Sequence, residues 1–189
     1  MKPLAELLRA NRSYRRFDQN ISIPKTELYQ WVSNLRYTNS SRNIQPLKYK
    51  IVTEAEQCAQ IFKHLKWAGY LRDWDGPNEG ERPTAYVIQM LDTTLSKSSR
   101  YDEGLHLSAL GLQATEAGYG GCIIAAFDTN AIGALLQLPE HLKPITIMAL
   151  GKPIEKIVIE ALEDGDVTYY RTEDQTHHVP KRSPEEFII

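Results

Sequence analysis

Residues 102–119 constrain this chain most. Leu105, Leu107, Leu110 and Leu112 place apolar side chains nearly all round a helical period, and Ser108, Ala109, Gly111, Ala114, Ala117 and Gly118 stud the same stretch with small ones. A helix that is apolar on every side must be covered on more than one side. Small residues let the covering helix come close. The chain has 189 residues, which suits one domain with a sizeable core. A second copy of the chain is then a natural source of cover. The competing reading is the central core helix of a monomer.

Shorter elements flank this helix. Leu4, Leu7 and Leu8 mark an amphipathic helix at the start. Pro24 suits the first turn of a second helix, whose buried stripe is Leu28, Trp31, Val32 and Leu35. Residues 49–53 read as a strand and 54–66 as a helix. Residues 85–91 form an apolar run interrupted only by Gln89, the pattern of a strand buried on both faces. Residues 121–127 and 145–150 read as further strands, and Asp128 suits the cap of the helix between them. Asp164-Gly165 is a hairpin signal between apolar stretches 156–162 and 167–171. Phe187-Ile188-Ile189 reads as a tail strand lacking a sheet of its own.

Two segments carry chemistry. Arg12-Ser13-Tyr14-Arg15-Arg16-Phe17 packs three arginines and a hydroxyl into a loop, an anion trap in which Arg12 and Arg15 fork hydrogen bonds and Ser13 adds a donor. A solvated basic patch is the bland alternative. Asn39-Ser40-Ser41-Arg42-Asn43-Ile44-Gln45-Pro46 is dense in small polar side chains suited to the edge of a heteroaromatic ring or a polyol, though a turn-rich connector has the same composition. The net charge of −2 implies no polyanion such as nucleic acid. No apolar run approaches the roughly 20 residues needed to span a bilayer. The first residues lack the apolar core of a secretory signal, and Cys58 and Cys122 make neither metal spacing nor an obvious redox pair. A reducing cytoplasm is the simplest location.

In this order the segments resemble the nitroreductase family of flavin mononucleotide (FMN) enzymes. The resemblance rests on Arg12, Ser13, Arg15 and Phe17; on Ser40, Ser41, Asn43, Gln45 and Pro46; on Asp102 opening a small-residue helix that runs to Gly118-Tyr119-Gly120-Gly121; and on Lys181-Arg182 before a Pro-Glu-Glu stretch. The chain departs at Asn11, where many members are basic, and at Leu47, where an aromatic is common. The resemblance implies an α+β fold: a central, mostly antiparallel sheet flanked by helices, an appended C-terminal hairpin, and a tail strand exchanged in a homodimer. It implies an FMN-dependent oxidoreductase that takes hydride from NADH or NADPH and reduces small electron-poor acceptors, nitroaromatics or quinones, by a ping-pong mechanism.

By the same resemblance Arg12, Ser13 and Lys181 or Arg182 hold the phosphate and ribityl chain. Arg15 lies beside the ring and tunes it, so no catalytic side chain is implied beyond the flavin itself. Backbone amides of Ile124, Ala125 and Ala126 face the ring, and Ser40, Ser41, Asn43 and Gln45 reach it from the second subunit. A flavin-storage protein is the alternative, since Ala125 and Ala126 offer no side-chain function. Other chemistries fit poorly. No nucleophile elbow or Walker loop is present, and Gly118-Tyr119-Gly120-Gly121 precedes a strand, the reverse of a dinucleotide fingerprint. Adjacent His177 and His178 on a strand point to opposite faces, which argues against a shared metal ion. Trp67, Tyr70, Leu71 and Trp74 suit a lid or, more commonly, the anchoring of an exposed loop.

Overall fold

The apolar run at 85–91 forms the middle of the sheet. In a computed structural model, which describes residues 2–189, β3 (Ala85–Asp92) is buried along its whole length. On one side it pairs with β2 (Leu47–Val52), on the other with the long β5 (Leu142–Pro153). β5 also pairs with β4 (Gly120–Ile124) and, at its end, with β1 (Phe17–Asp18). All four pairings are antiparallel. Alternating side chains of β3 serve two cores. Tyr86 and Ile88 pack with Ile61 and Ile132 from α3 (Ala55–Phe62) and α5 (Thr129–Leu135). Val87 packs with Leu28, Trp31 and Leu110 from α2 (Lys25–Asn34) and α4 (Asp102–Glu116). α1 (Leu4–Ala10) lies against α4. The expected α+β architecture is therefore present. No helix among the described residues is long and apolar enough to cross a membrane.

Local chemistry sets the boundaries. α4 stops at Glu116 because Gly118 takes φ +81°. The Gly118 amide bonds the Thr115 carbonyl and the Tyr119 amide that of Ala114, a Schellman end that turns the chain into β4. Asp128 caps α5, its Oδ1 accepting from the Ala131 amide at 3.0 Å.

Two expectations change. Gly111 and Ala114 of α4 are spent within the chain: Asn11 stands 2.9 Å from where a Cβ on Gly111 would be, and Ala114 is in the core. The face of α4 left partly open carries Leu105, Ser108 and Leu112. Next, Asp164-Gly165 does form a tight turn, with φ +47° and +76°, but its flanking strands do not pair. β8 (His177–Lys181) inserts between β6 (Ile157–Ala161) and β7 (Tyr170–Arg171), parallel to the first and antiparallel to the second. The appended hairpin is β7–β8, closed where the Asp174 carboxylate accepts from Thr172 and Thr176. Phe187-Ile188-Ile189 pairs with no strand among the described residues of its own chain. A 3₁₀ turn at Pro184–Glu186 with a capping box precedes it, and all three side chains are exposed.

Gly121 is where the sheet and the N-terminal loop meet. A Cβ there would stand 2.8 Å from the Ala149 carbonyl oxygen, whereas at Gly133 in α5 it would meet nothing within 4 Å. Gly121→Ala is expected to destabilise the fold by about 1–3 kcal/mol. Gly133→Ala is expected to stabilise it by about 0.5–1 kcal/mol through helix propensity. Urea titrations of both variants check the opposite signs.

Candidate functional site

The anion trap is built by the edge of the sheet. Ser13 bridges Gly121 in parallel, and the Tyr14 amide donates to the Gly121 carbonyl at 3.0 Å. Residues 12–15 therefore run beside the start of β4. Arg12 is steered by its own neighbours: Nε donates to the Asn11 carbonyl and Nη2 to that of Leu8. The Arg15 amide donates to Glu155 Oε2 at 2.8 Å. Its guanidinium lies 4.9 Å from the Tyr169 ring centroid, and Nη1 donates to His177 Nε2 at 3.3 Å.

These residues enclose a cavity of about 270 Å³ lined by Asn11, Arg12, Ser13, Arg15, Ile157, Tyr169, His177, Val179 and Lys181. The lining holds three cations and no carboxylate. Odd-numbered residues of β8 face this cavity, which is why Lys181 reaches it. Arg182 does not line it and pairs with Glu186 at 2.8 Å. Of the two cations expected from the C-terminal end, Lys181 alone lines this cavity.

The C-terminal sheet supplies parts that the sequence did not announce. Glu155 is buried and receives both Nε and Nη2 of Arg171, the shorter contact being 2.5 Å. Arg171 stacks 4.2 Å over Trp74, and Tyr70 sets its ring 4.9 Å from Tyr169. The aromatics of the 69–83 loop thus anchor it to the C-terminal sheet, while Trp67 sinks into the core. His177 and His178 do point opposite ways: His178 stacks on Tyr170 and bonds Glu160. Alternation at Tyr169, Arg171 and His177 was visible in the sequence, but nothing there named their partners.

His177 is buried, and Arg15 donates to its Nε2, so the neutral ring carries its proton on Nδ1. That atom has no partner among the described residues. Burial first, then the cations Arg15 and Arg171, pull its pKa down to about 4, against the opposing pull of Glu155. The unfolded ring titrates near 6.5, so this contribution is complete above pH 6.5, is lost as pH falls to about 4 and is constant below that. His177→Gln is expected to flatten the part of the stability–pH curve between pH 6.5 and 4, seen in denaturant titrations of both proteins across that range.

The Ser/Asn-rich loop is held elsewhere. Asp102, buried at the start of α4, accepts from Ser40 Oγ at 2.5 Å and from the Ser41 amide at 2.7 Å. Gln45 donates from Nε2 to Asn43, and Arg42, Asn43 and Gln45 all take positive φ, 53–56°. None of these residues lines the Arg12–Lys181 cavity. At the far end of β4, Ile124 is buried while Ala125 and Ala126 are exposed. Among the described residues only Ser13 pairs across that strand's second edge, at Gly121. One chain brings together Arg12, Ser13, Arg15 and Lys181 beside an open strand edge; it does not bring Ser40, Ser41, Asn43 or Gln45 to them.

No family model matches the chain. Solved structures do. A nitroreductase family protein from Streptococcus pneumoniae TIGR4 superposes with TM-score 0.69 at 17% identity, over 99% of each chain. An FMN-dependent nitroreductase from Clostridium difficile R20291 gives 0.66 at 19% identity, over 85% of this chain and 92% of that one. A protein from Exiguobacterium sibiricum 255-15, solved in complex with FMN, gives 0.67 at 18%, over 82% and 90%. The chain has the nitroreductase fold.

Proposed function

We propose that this chain is an FMN-dependent oxidoreductase that uses NADH or NADPH to reduce small electron-poor acceptors such as nitroaromatics or quinones. The observation that carries the reading is the convergence of Arg12, Ser13, Arg15 and Lys181 on one cavity with no carboxylate in its lining. Such a donor set fits a phosphate monoester. Relatives in fold include FMN-dependent enzymes and an FMN complex.

Arg12, Ser13 and Lys181 grip the phosphate end. Arg15, held by Glu155, Tyr169 and His177, presents a positive charge beside the start of β4 and tunes the ring. The open edge beyond Gly121, with the small residues Ala125 and Ala126, lets the backbone approach the ring. When bound, the flavin supplies hydride transfer in alternating half-reactions with donor and acceptor. The protein supplies grip, orientation and charge. Ser40, Ser41, Asn43 and Gln45 complete the site from a second copy of the chain. Leu105 and Leu112 of α4, with exposed Leu4 and Leu8 of α1, are the apolar surface that pairs the two copies. The enzyme acts as one domain in the reducing cytoplasm, where its two buried cysteines stay thiols.

Anaerobic mixing of the FMN-loaded protein with NADH or NADPH tests this reading. The flavin absorbance is expected to bleach quickly and to return on adding a quinone. Flavin that stays oxidised with both donors contradicts turnover.

A further inference from the structure

A second cavity, of about 230 Å³, lies between α3 and the segment that leads into β3. It shares no residue with the Arg12–Lys181 cavity or with the Ser/Asn-rich loop. Pockets for drug-sized ligands run to roughly 300–1,000 Å³, so an occupant of this one is smaller. Ala55, Ala59 and Phe62 of α3, with Pro83, give it an apolar wall.

Two buried donors of the lining have no partner among the described residues: the Tyr86 hydroxyl and Arg82 Nε. Tyr86 is fully buried. A buried donor left unpaired costs about 1–3 kcal/mol, so an acceptor that meets both relieves two such costs. The Arg82 guanidinium is held in place. Its Cζ lies 4.4 Å from the Phe62 ring centroid, and the Arg82 amide donates to Gln19 Oε1 at 3.2 Å. No carboxylate among the described residues pairs with it, and adjacent Glu81 is spent on Arg16. The polar neighbours are engaged elsewhere. Thr84 Oγ1 donates to the Ile21 carbonyl, and Cys58 Sγ is directed at the carbonyls of Val52 and Thr84. Burial raises the Tyr86 hydroxyl, Cys58 adds to the rise and Arg82 opposes it, so the hydroxyl keeps its proton. Glu79 supplies the one carboxylate of the lining; it is exposed and enters no ion pair among the described residues. The cavity therefore offers one unpaired cation, one unpaired carboxylate and an apolar wall, the complement of a zwitterion with an apolar body.

We propose that this cavity binds a free amino acid with an apolar side chain. Its carboxylate accepts from Arg82 and the Tyr86 hydroxyl, its ammonium faces Glu79, and its side chain lies against Ala55, Ala59 and Phe62. The site stands apart from the flavin reading and is testable whether or not flavin is bound.

L-leucine is the probe, titrated calorimetrically into the intact protein. Saturable binding is expected, about one leucine per chain. N-acetyl-L-leucine lacks the ammonium and L-leucinamide lacks the carboxylate. Each is expected to bind at least about tenfold more weakly, the scale of one lost hydrogen bond to a charged group. Tyr86→Phe separates a binding role from a structural one. It deletes an unpaired hydroxyl, so stability in urea is expected to hold or rise, while leucine affinity falls about tenfold or more. Arg82→Met keeps an apolar cover over Phe62 and is expected to weaken leucine by a similar factor. Absence of leucine binding, equal affinity for either analogue, or unchanged affinity in Tyr86→Phe and Arg82→Met would overturn the proposal.

Discussion

Replacing Arg12 and Arg15 together with alanine is expected to yield folded protein without flavin. Neither guanidinium holds the core together. Arg12 bonds only carbonyls of its own segment, and Arg15 bonds the Ser13 carbonyl and His177. The Arg15 amide keeps its bond to Glu155 in the variant, because that bond is made by backbone. What disappears is two of the three cations around the cavity. A hydrogen bond to a charged group contributes about 1.5–3 kcal/mol. Losing two weakens FMN binding by about 3–6 kcal/mol, on the order of a hundredfold to ten-thousandfold. Near-UV circular dichroism reports the fold and released flavin reports occupancy. A folded variant with full flavin would show that this cavity is not the phosphate site.

Glu155→Ala is the substitution expected to damage the fold most. It leaves Arg171 buried without its counter-charge and takes the acceptor from the Arg15 amide. Breaking a buried ion pair from one side costs about 3–5 kcal/mol. For a domain of this size 1 kcal/mol moves the midpoint by about 2–4 °C, so thermal unfolding should fall by roughly 6–20 °C. The double variant Glu155→Met with Arg171→Met removes both charges and is expected to recover part of the loss. Flavin affinity is expected to fall with Glu155→Ala as well, because Tyr169 and His177, which hold Arg15, sit on the sheet that this pair fastens. A change below about 1 kcal/mol would mean that the C-terminal sheet is held by its aromatic contacts instead, Tyr70 on Tyr169 above all.

Periodicity made most of the central layer legible. The run at 85–91 is continuous because β3 is covered on both faces, and Leu28, Trp31 and Leu35, like Leu107, Leu110 and Ala114, recur at helical spacing because one core takes them all. Composition also marked Arg12, Ser13 and Arg15, whose polar side chains have no structural use in the core. The C-terminal region was less legible. Asp164-Gly165 has turn chemistry, yet a turn specifies only its own backbone, and the strand that separates its flanks lies a dozen residues later. Local signals carry no information on that insertion. The Arg171–Glu155 pair is similar: two charged residues look like surface until a fold buries them against each other. Gly111 shows the reverse error. A small residue on an apolar helix promises a close neighbour without saying which, and the neighbour is Asn11 of the same chain.

The flavin content of the purified protein tests the central claim most directly. The protein is incubated with excess FMN, desalted and denatured, and the released chromophore is identified and quantified against chain concentration. About one FMN per chain is the predicted result, with a yellow native protein. A colourless protein that retains no flavin after this treatment, or one that retains only FAD, would contradict the assignment of Arg12, Ser13, Arg15 and Lys181 to an FMN phosphate.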